Sequence, residues 1–264
     1  MPDAPPAFEH LSLELAAGVA RLTLNRPRKL NALAPRTMHE IEAAAQWLAR
    51  QDTLQVVLLR GAGRAFCAGF DLDAMRAPES DTRDAGGTGD ADLGRRMIDA
   101  WLAIPAITMA AVQGHCLGGG LLLAAACDLR LAADDARFGL PEMAIGIPLA
   151  WGGVPLLVRL LGPTIAMQLV LDAQSHDVAS AEQWRFVNRR ATVERLDAAA
   201  DGWANDLAQR PALALRTTKR RFQQVAETLC PRSGSEHDAD DLRAVYRDAQ
   251  TLAAQRAYLQ RHGG

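Results

Sequence analysis

The stretch Gln113-Gly114-His115-Cys116-Leu117-Gly118-Gly119-Gly120-Leu121-Leu122 combines three consecutive glycines with apolar flanks. An apolar run leads into it and an alanine-rich apolar run leads out, so the pattern predicts a buried strand, a glycine turn and a helix start. Glycines let a ligand approach the main chain closely, and the first N–H groups of a helix have no intrahelical partner. The stretch therefore suits an oxygen that carries negative charge, although a tight turn packed with small residues predicts the same glycines.

The segments around this stretch predict an α/β chain. Strands and helices alternate up to about residue 150: residues 11–24 predict a β-hairpin, and the continuous apolar run 54–59 predicts a strand covered on both faces. Residues 78–92 are rich in Asp, Gly, Ser and Thr and predict a loop. Helical periodicity dominates residues 151–261. We expect a largely parallel sheet and a helical tail that packs on a partner subunit or on its own core.

The composition argues against several classes of protein. The 264 residues suit one large domain, or one domain with a small appendage. The net charge of −2 implies no broad basic surface, so we expect no nucleic-acid partner. The N-terminal residues Met-Pro-Asp-Ala-Pro-Pro lack the pattern of a secretory signal, and no run of about 18 uncharged apolar residues predicts a membrane span. We therefore expect a cytoplasmic protein that does not bind membranes.

Other common catalytic motifs are incomplete. Gly61-x-Gly63 follows a strand, but Phe66 stands where a dinucleotide-binding turn needs its third glycine. The six histidines are scattered, without the spacing of a zinc site, so we predict no metal site. Gly-x-Ser-x-Gly is absent, and Cys116 has no evident neighbouring base to activate it. The four cysteines form no Cys-x-x-Cys pair, which predicts buried thiols rather than a disulfide framework.

Two glycine turns and one carboxylate form the strongest combination. Gly69-Phe70 and Gly118-Gly119 each follow a strand and expose backbone N–H groups, and two such donors that converge make an oxyanion hole. Glu142 stands among apolar neighbours in Leu-Pro-Glu-Met. If it is buried, its pKa rises and it can act as an acid or base near neutral pH. A surface acid after a proline turn remains the alternative.

Four co-linear motifs resemble those of one family. They are Asn25–Leu33, Ala65–Leu72, Gln113–Gly120 and Phe138–Ile147. In order and spacing they are similar to the crotonase superfamily, the enoyl-CoA hydratases and isomerases. The resemblance extends over nearly the whole chain, and the four motifs together are far more specific than any one of them.

The resemblance implies a fold, an assembly and a substrate. It implies an α/β crotonase-type spiral of ββα units with the active site over residues 1–195, followed by a C-terminal helical trimerisation region over residues 196–264. It implies a homotrimer or a dimer of trimers. The implied substrate is an acyl-CoA thioester, and no separate cofactor is implied because coenzyme A is part of the substrate.

The resemblance also implies roles for individual residues. The N–H groups of Phe70 and Gly119 match the two oxyanion donors, and Glu142 matches the second of the two catalytic glutamates of the hydratases. The positions that match the coenzyme A site are Arg28, Lys29, Ala32, Ala68, Phe70, Asp71, Leu72, Asp73 and Gly119.

One departure from the family pattern bears on the reaction. Leu122 stands where the hydratases have their first glutamate. Hydration needs a water that two carboxylates hold and activate, whereas one carboxylate suffices to move a proton between carbons. We therefore expect an enoyl-CoA isomerase with Glu142 as its sole acid/base. A 2-enoyl-CoA hydratase, other enolate or thioester chemistry, and a non-catalytic acyl-CoA binder remain alternatives.

Overall fold

The computed structural model describes residues 4–76 and 92–262. The predicted loop at 78–92 therefore lies, except for Asp92, outside the described residues. The strands are β1 (Leu11–Ala16), β2 (Val19–Leu24), β3 (Val56–Gly61), β4 (Ile107–Val112), β5 (His115–Leu117), β6 (Leu129–Ala133), β7 (Arg137–Gly139), β8 (Ser175–Asp177) and β9 (Arg189–Ala191). The helices are α1 (Pro35–Ala49), α2 (Leu72–Arg76), α3 (Leu93–Leu102), α4 (Gly119–Ala125), α5 (Glu142–Ile145), α6 (Gly153–Asp172), α7 (Val178–Gln183), α8 (Leu196–Ala208), α9 (Ala212–Leu229), α10 (Asp238–Val245) and α11 (Ala249–His262).

The main sheet has six strands in the order β1-β2-β3-β4-β6-β9. The predicted hairpin β1–β2 is antiparallel, and every later pair in this sheet is parallel. In register, Leu22 faces Leu59, which in turn faces Ala110. Because helices cover a parallel sheet on both faces, its strands are continuous apolar runs, and four successive residues of β3 are buried.

A smaller sheet, β5-β7-β8, lies beside the main one. Each of two successive repeats places a strand in the main sheet, a short strand in the small sheet and then a helix: β4-β5-α4 and β6-β7-α5. This arrangement confirms the predicted α/β fold and its ββα units. It also brings the starts of α4 and α5 to the same end of the small sheet, because β5 and β7 pair in parallel.

The core has two parts, one on each face of the main sheet. Alternate residues of a strand point to opposite faces, so Val57 and Leu59 face the large core while Val56 and Leu58 face the small one. The large core lies against α1, α3 and α4 and contains Trp101, which is fully buried. The small core is closed by α8.

The C-terminal helices pack on their own chain. Lys219 of α9 is buried and its Nζ lies 2.7 Å from Asp128 Oδ2 and 2.9 Å from the carbonyl oxygen of Ala106. Asp128 also accepts a hydrogen bond from the backbone N–H of Thr108, so this acid joins the sheet to the tail. The last part of the region with helical periodicity forms two helices, α10 and α11, and Asp248 caps the second one by accepting from Thr251 N at 2.8 Å.

Helix α6 is the one described helix that is long and apolar enough, by length and composition, to cross a membrane. Its backbone leaves the helical conformation at Gly162 (φ 73°, ψ 162°), directly before Pro163. Each half is shorter than the roughly 20 residues that a span needs. The first half buries Leu156 and Leu157 in the core, which is the packing of a core helix.

Candidate active site

Two loops that are distant in sequence meet at the predicted oxyanion turns. Cys67 donates its N–H to the carbonyl of His115 at 2.9 Å, and Leu117 donates back to Cys67 at 3.0 Å. This pairing places Gly69 against the turn at Gly118. A methyl group on Gly69, which has φ of 94°, would lie 2.9 Å from the carbonyl oxygen of Leu117. The close approach therefore requires glycine at this position.

The backbone N–H groups that neighbour those of Phe70 and Gly119 are used within the two turns. Leu33 donates to the Gly69 carbonyl at 2.8 Å and accepts from Asp71 N at 3.1 Å, and Gly118 donates to the Gly139 carbonyl at 2.9 Å. Within residues 4–76 and 92–262, the N–H groups of Phe70 and Gly119 have no backbone acceptor. Free donors on two converging turns suit a developing oxyanion.

Glu142 lies at the same place. It is the first residue of α5, and a methyl group on Gly118 would lie 3.0 Å from its Oε1 atom and 3.7 Å from the Cα of Gly69. Its Oε2 atom is buried and has no hydrogen-bond partner among the described residues. The carboxylate is therefore directed into the site, which favours the interpretation as a buried acid over that as a surface acid.

The surroundings shift the pKa of Glu142. Burial disfavours the charged carboxylate and outweighs the hydrogen bond from the residue's own backbone N–H, so the pKa rises from 4.5 to about 7. A carboxyl group with this pKa is present in both forms near neutral pH. It can take a proton from a substrate and return it.

The position of the missing glutamate is apolar. Leu122 is buried, and a methyl group on Gly153 would lie 3.0 Å from Leu122 Cδ2 and 2.9 Å from Leu149 Cδ2. The two acids nearest to the turns in sequence are engaged elsewhere. Asp71 pairs with Arg26 at 2.8 Å and Asp128 with Lys219 at 2.7 Å. Neither stands in for the first glutamate.

Two residues of the first motif position the site without having been predicted to do so. Arg26 Nη1 donates to the Ala32 carbonyl at 2.7 Å and to Asp71 Oδ2 at 2.8 Å. The buried Asn31 accepts from Arg26 N and donates to the carbonyl of Ala65. Both residues belong to the quoted motif Asn25–Leu33, and that membership was their only signal in the sequence.

The predicted coenzyme A positions lie on two loops that these contacts hold together. Arg28 and Lys29 are exposed, and Ala68 donates its N–H to the Leu30 carbonyl at 3.0 Å. Lys29 Nζ lies 2.6 Å from Asp73 Oδ2, and this hydrogen bond raises the pKa of Lys29. Of the remaining positions, Ala32, Phe70 and Leu72 are half-buried, and Asp71 and Gly119 are buried.

Cys116 is not suited to act as a nucleophile. It is fully buried, and burial raises the pKa of its thiol well above the ordinary value. Burial likewise raises the pKa of Cys67 to about 12. The thiolate is the reactive form of cysteine, so these two residues act as small packing groups beneath the glycine turn.

The C-terminal helix contributes to the surroundings of Glu142. Thr251 of α11 donates its hydroxyl to the carbonyl of Gly146, just after α5, at 3.1 Å. Tyr258 lies two turns further along α11, and burial together with the charge of Glu142 raises the pKa of its phenol. Helical periodicity alone did not single out these residues, because their role depends on where α11 packs.

The chain is similar to known proteins over most of its length. The family model for enoyl-CoA hydratase/isomerase matches residues 14–262. The probable enoyl-CoA hydratase echA8 of Mycobacterium tuberculosis (strain CDC 1551 / Oshkosh) is 34% identical over 227 residues, 84% of each chain. The mevalonyl-coenzyme A hydratase sidH of Aspergillus fumigatus is 37% identical over 199 residues, 75% of this chain and 72% of the relative.

Among solved structures, an enoyl-CoA hydratase/isomerase from Xanthobacter autotrophicus Py2 superimposes with a TM-score of 0.86 at 31% identity. The superposition covers 97% of this chain and 95% of the Xanthobacter chain. An enoyl-CoA hydratase from Mycobacterium avium subsp. paratuberculosis K-10 superimposes with a TM-score of 0.85 at 26% identity, with 97% of each chain covered.

Proposed function

The chain belongs to the enoyl-CoA hydratase/isomerase family of acyl-CoA enzymes, and we propose that it is an enoyl-CoA isomerase that shifts a carbon–carbon double bond with Glu142 as its sole acid/base. One observation carries this proposal: the site has the buried carboxylate of Glu142, but a buried leucine, Leu122, stands where the hydratases have a second carboxylate.

The proposed reaction needs one proton carrier. Glu142 removes a proton from the α-carbon of a 3-enoyl-CoA, and the electron pair left behind forms a dienolate with the thioester carbonyl and the double bond. The same carboxyl group then returns the proton to the γ-carbon, which leaves the conjugated 2-enoyl-CoA. The pKa of about 7 suits both steps, because the group must accept and donate at the same pH.

The dienolate oxygen would be bound by the two free N–H groups of Phe70 and Gly119. Donors that are already oriented stabilise charge that develops in the transition state, and one such donor typically contributes a factor of about 10²–10³ in rate. The left-handed backbone at Gly69 and Gly118 holds the two turns in place. No acid other than Glu142 is needed in this scheme.

Hydration is the second candidate, and the names of the relatives favour it. Both curated relatives described above are named as hydratases. A hydratase must hold a water molecule against the double bond, and an ordered water needs two to four polar partners. Leu122 and Leu149 offer none at the position of the first glutamate. A non-catalytic acyl-CoA binder is disfavoured because a buried carboxylate whose Oε2 atom has no hydrogen-bond partner among the described residues is costly to keep.

Two substrates separate the candidates. With 3-hexenoyl-CoA, we expect the ultraviolet absorbance of the conjugated thioester to rise as the double bond shifts. With crotonyl-CoA, we expect little loss of that absorbance and no hydroxyacyl-CoA by mass spectrometry. Rapid hydration of crotonyl-CoA without isomerisation of 3-hexenoyl-CoA would replace the isomerase proposal by the hydratase one.

We also propose that the chain assembles as a homotrimer or a dimer of trimers through the region 196–264. Phe222, Val225 and Leu229 lie on one face of α9 and are 74%, 58% and 80% exposed, which supports contact with another copy. Analytical ultracentrifugation tests this, since a monomer at micromolar concentration would overturn it. The cytoplasmic location and the absence of a separate cofactor stay predictions.

A further inference from the structure

Trp151 has an unusual conformation for a large residue. Its backbone lies in the left-handed region, with φ of 60°, and so does that of Gly152, with φ of 72°. This region is disfavoured for bulky side chains, and such conformations persist only where the surrounding structure imposes them. The contacts of the side chain identify what is held in place.

The indole is wedged between two glycines on different helices. A methyl group on Gly94 of α3 would lie 2.1 Å from Trp151 Cε2, and one on Gly119 of α4 would lie 2.2 Å from Cζ3. Both positions accept only glycine while the ring is there. The ring is therefore clamped on two sides and cannot turn away without moving a helix.

The same ring touches both halves of the oxyanion hole. It lies against Gly119, and its ring centre is 6.4 Å from that of Phe70 with an edge-to-face angle of 67°, a favourable geometry for an aromatic pair. Trp151 is half-buried and contacts both residues that supply the predicted N–H donors. A group bound to those donors would therefore lie beside the indole.

The direction of the acyl chain follows from the two loops. Apart from Gly119, the predicted coenzyme A positions lie on the segments 28–32 and 68–73, on the Phe70 side of the site. On the opposite side, α4 supplies Leu122 and the segment before α6 supplies Leu149 and Trp151, and we expect the acyl chain to leave the thioester there. Of these three, Trp151 lies against Gly119 and pairs with the ring of Phe70.

We propose that Trp151 determines acyl-chain specificity by forming a fixed wall of the acyl pocket, and that the enzyme therefore prefers short-chain over long-chain acyl-CoA. The proposal rests on the proposed function only in placing the thioester oxygen between Phe70 and Gly119. A clamped wall discriminates by size, since a long chain cannot displace it as it could a mobile side chain.

Binding of saturated thioesters tests this without any reaction. Butanoyl-CoA and dodecanoyl-CoA are titrated by calorimetry into the wild type, Trp151→Ala and Trp151→Phe. Trp184→Ala is the matched control, because the ring of Trp184 packs on His176 and not on the site. We expect the wild type to prefer butanoyl-CoA by about tenfold or more, the lower end of what a single methylene is worth in an apolar pocket. Trp151→Ala should abolish that preference by gaining affinity for dodecanoyl-CoA, Trp151→Phe should reduce it, and Trp184→Ala should keep it.

Several outcomes would overturn the proposal. One is a wild type that binds both thioesters equally, which needs no variant and so holds even if Trp151→Ala fails to fold. Another is a folded Trp151→Ala or Trp151→Phe with unchanged chain preference, as a merely structural tryptophan predicts. Chain-selective binding with no isomerisation of 3-hexenoyl-CoA would instead overturn the proposed reaction and leave this inference standing.

Discussion

The Oε1 atom of Glu142 lies so close to Gly118 that a methyl group on that glycine would stand 3.0 Å from it. Gly118 directly precedes the free N–H of Gly119, so the base and the oxyanion donor are neighbours although they begin different helices. In the proposed reaction, proton removal and stabilisation of the resulting charge would therefore take place next to each other.

Replacing Glu142 by glutamine should stop the reaction and leave binding intact. Glutamine keeps the size of the side chain but cannot carry the proton, and loss of a positioned acid/base costs roughly 10²–10⁴-fold in rate. Turnover of 3-hexenoyl-CoA and calorimetric binding of butanoyl-CoA measure the two effects. The exposed acid Glu194 provides a control as Glu194→Gln. Near-normal turnover of Glu142→Gln would remove the assignment of Glu142 as the base.

The rate should depend on pH through the same carboxyl group. Only the deprotonated form accepts a proton from the α-carbon, so kcat/KM should rise with pH, reach half its maximum near the pKa of about 7, and level off above it. A profile measured from pH 5.5 to 9 tests this. A profile that is already level across this range, as a pKa near the ordinary value of 4.5 would give, would mean that the carboxylate is solvated in the working enzyme.

The same pKa shift should make Glu142 a cost to stability at high pH. The folded state holds the proton more tightly than the unfolded state, so stability is lost as pH rises from 4.5 through about 7. The shift corresponds to about 3 kcal/mol at full ionisation. Glu142→Gln should therefore be more stable than wild type at pH 8, and this gain in stability should be smaller at pH 5.5. Urea unfolding at both pH values measures the difference, and a stability gap that does not change with pH would contradict the shift.

The turn at Gly69 should not tolerate a side chain. Gly69→Ala combines φ of 94° with a contact of 2.9 Å to the Leu117 carbonyl, so the Phe70 N–H should move and the rate should fall by about 10²–10³-fold. Gly202 of α8 is exposed, and a methyl group there has nothing within 4 Å. Gly202→Ala should leave the rate unchanged, and equal effects in both variants would argue against a special role of the turn.

Restoring an acid at Leu122 should move the enzyme toward hydration. Leu122→Glu places a second carboxyl group where the hydratases have one, and two carboxylates can hold and activate water. Hydration of crotonyl-CoA should become measurable, at a cost in stability because the new group is buried among Leu149 and Gly153. Leu122→Gln is the matched neutral variant and should not hydrate. Wild type that already hydrates as fast as Leu122→Glu would contradict the proposed division of roles.

The long elements and the chemical groups could be predicted from the sequence. Continuous apolar runs identified β3 and β4, because strands covered on both faces carry no polar alternation. The strands β8 and β9 were not predicted, because three residues are too few to show the alternation of apolar and polar residues that marks a strand. The same holds for β5, which lies inside the glycine stretch itself.

The site was predictable only in its parts. The turn glycines and Glu142 stood out because few residue types can expose a backbone or carry a proton. Three contacts of the site could not be predicted from the sequence. They are the ion pair of Asp71 with Arg26, the packing of Trp151 between Gly94 and Gly119, and the hydrogen bond that joins α11 to the end of α5. Each of these joins segments that no local spacing relates.

Residue type and order were enough to predict alternating strands and helices, the two glycine turns and Glu142 as a candidate acid. The ββα spiral and the replacement of a first glutamate by Leu122 came from the resemblance to one family. The burial of the Glu142 carboxylate beside Gly118 and the packing of Trp151 between Gly94 and Gly119 are seen only in the folded chain. The physical reason is that a pKa and the shape of a pocket depend on which distant side chains exclude water, and that is settled when the helices pack.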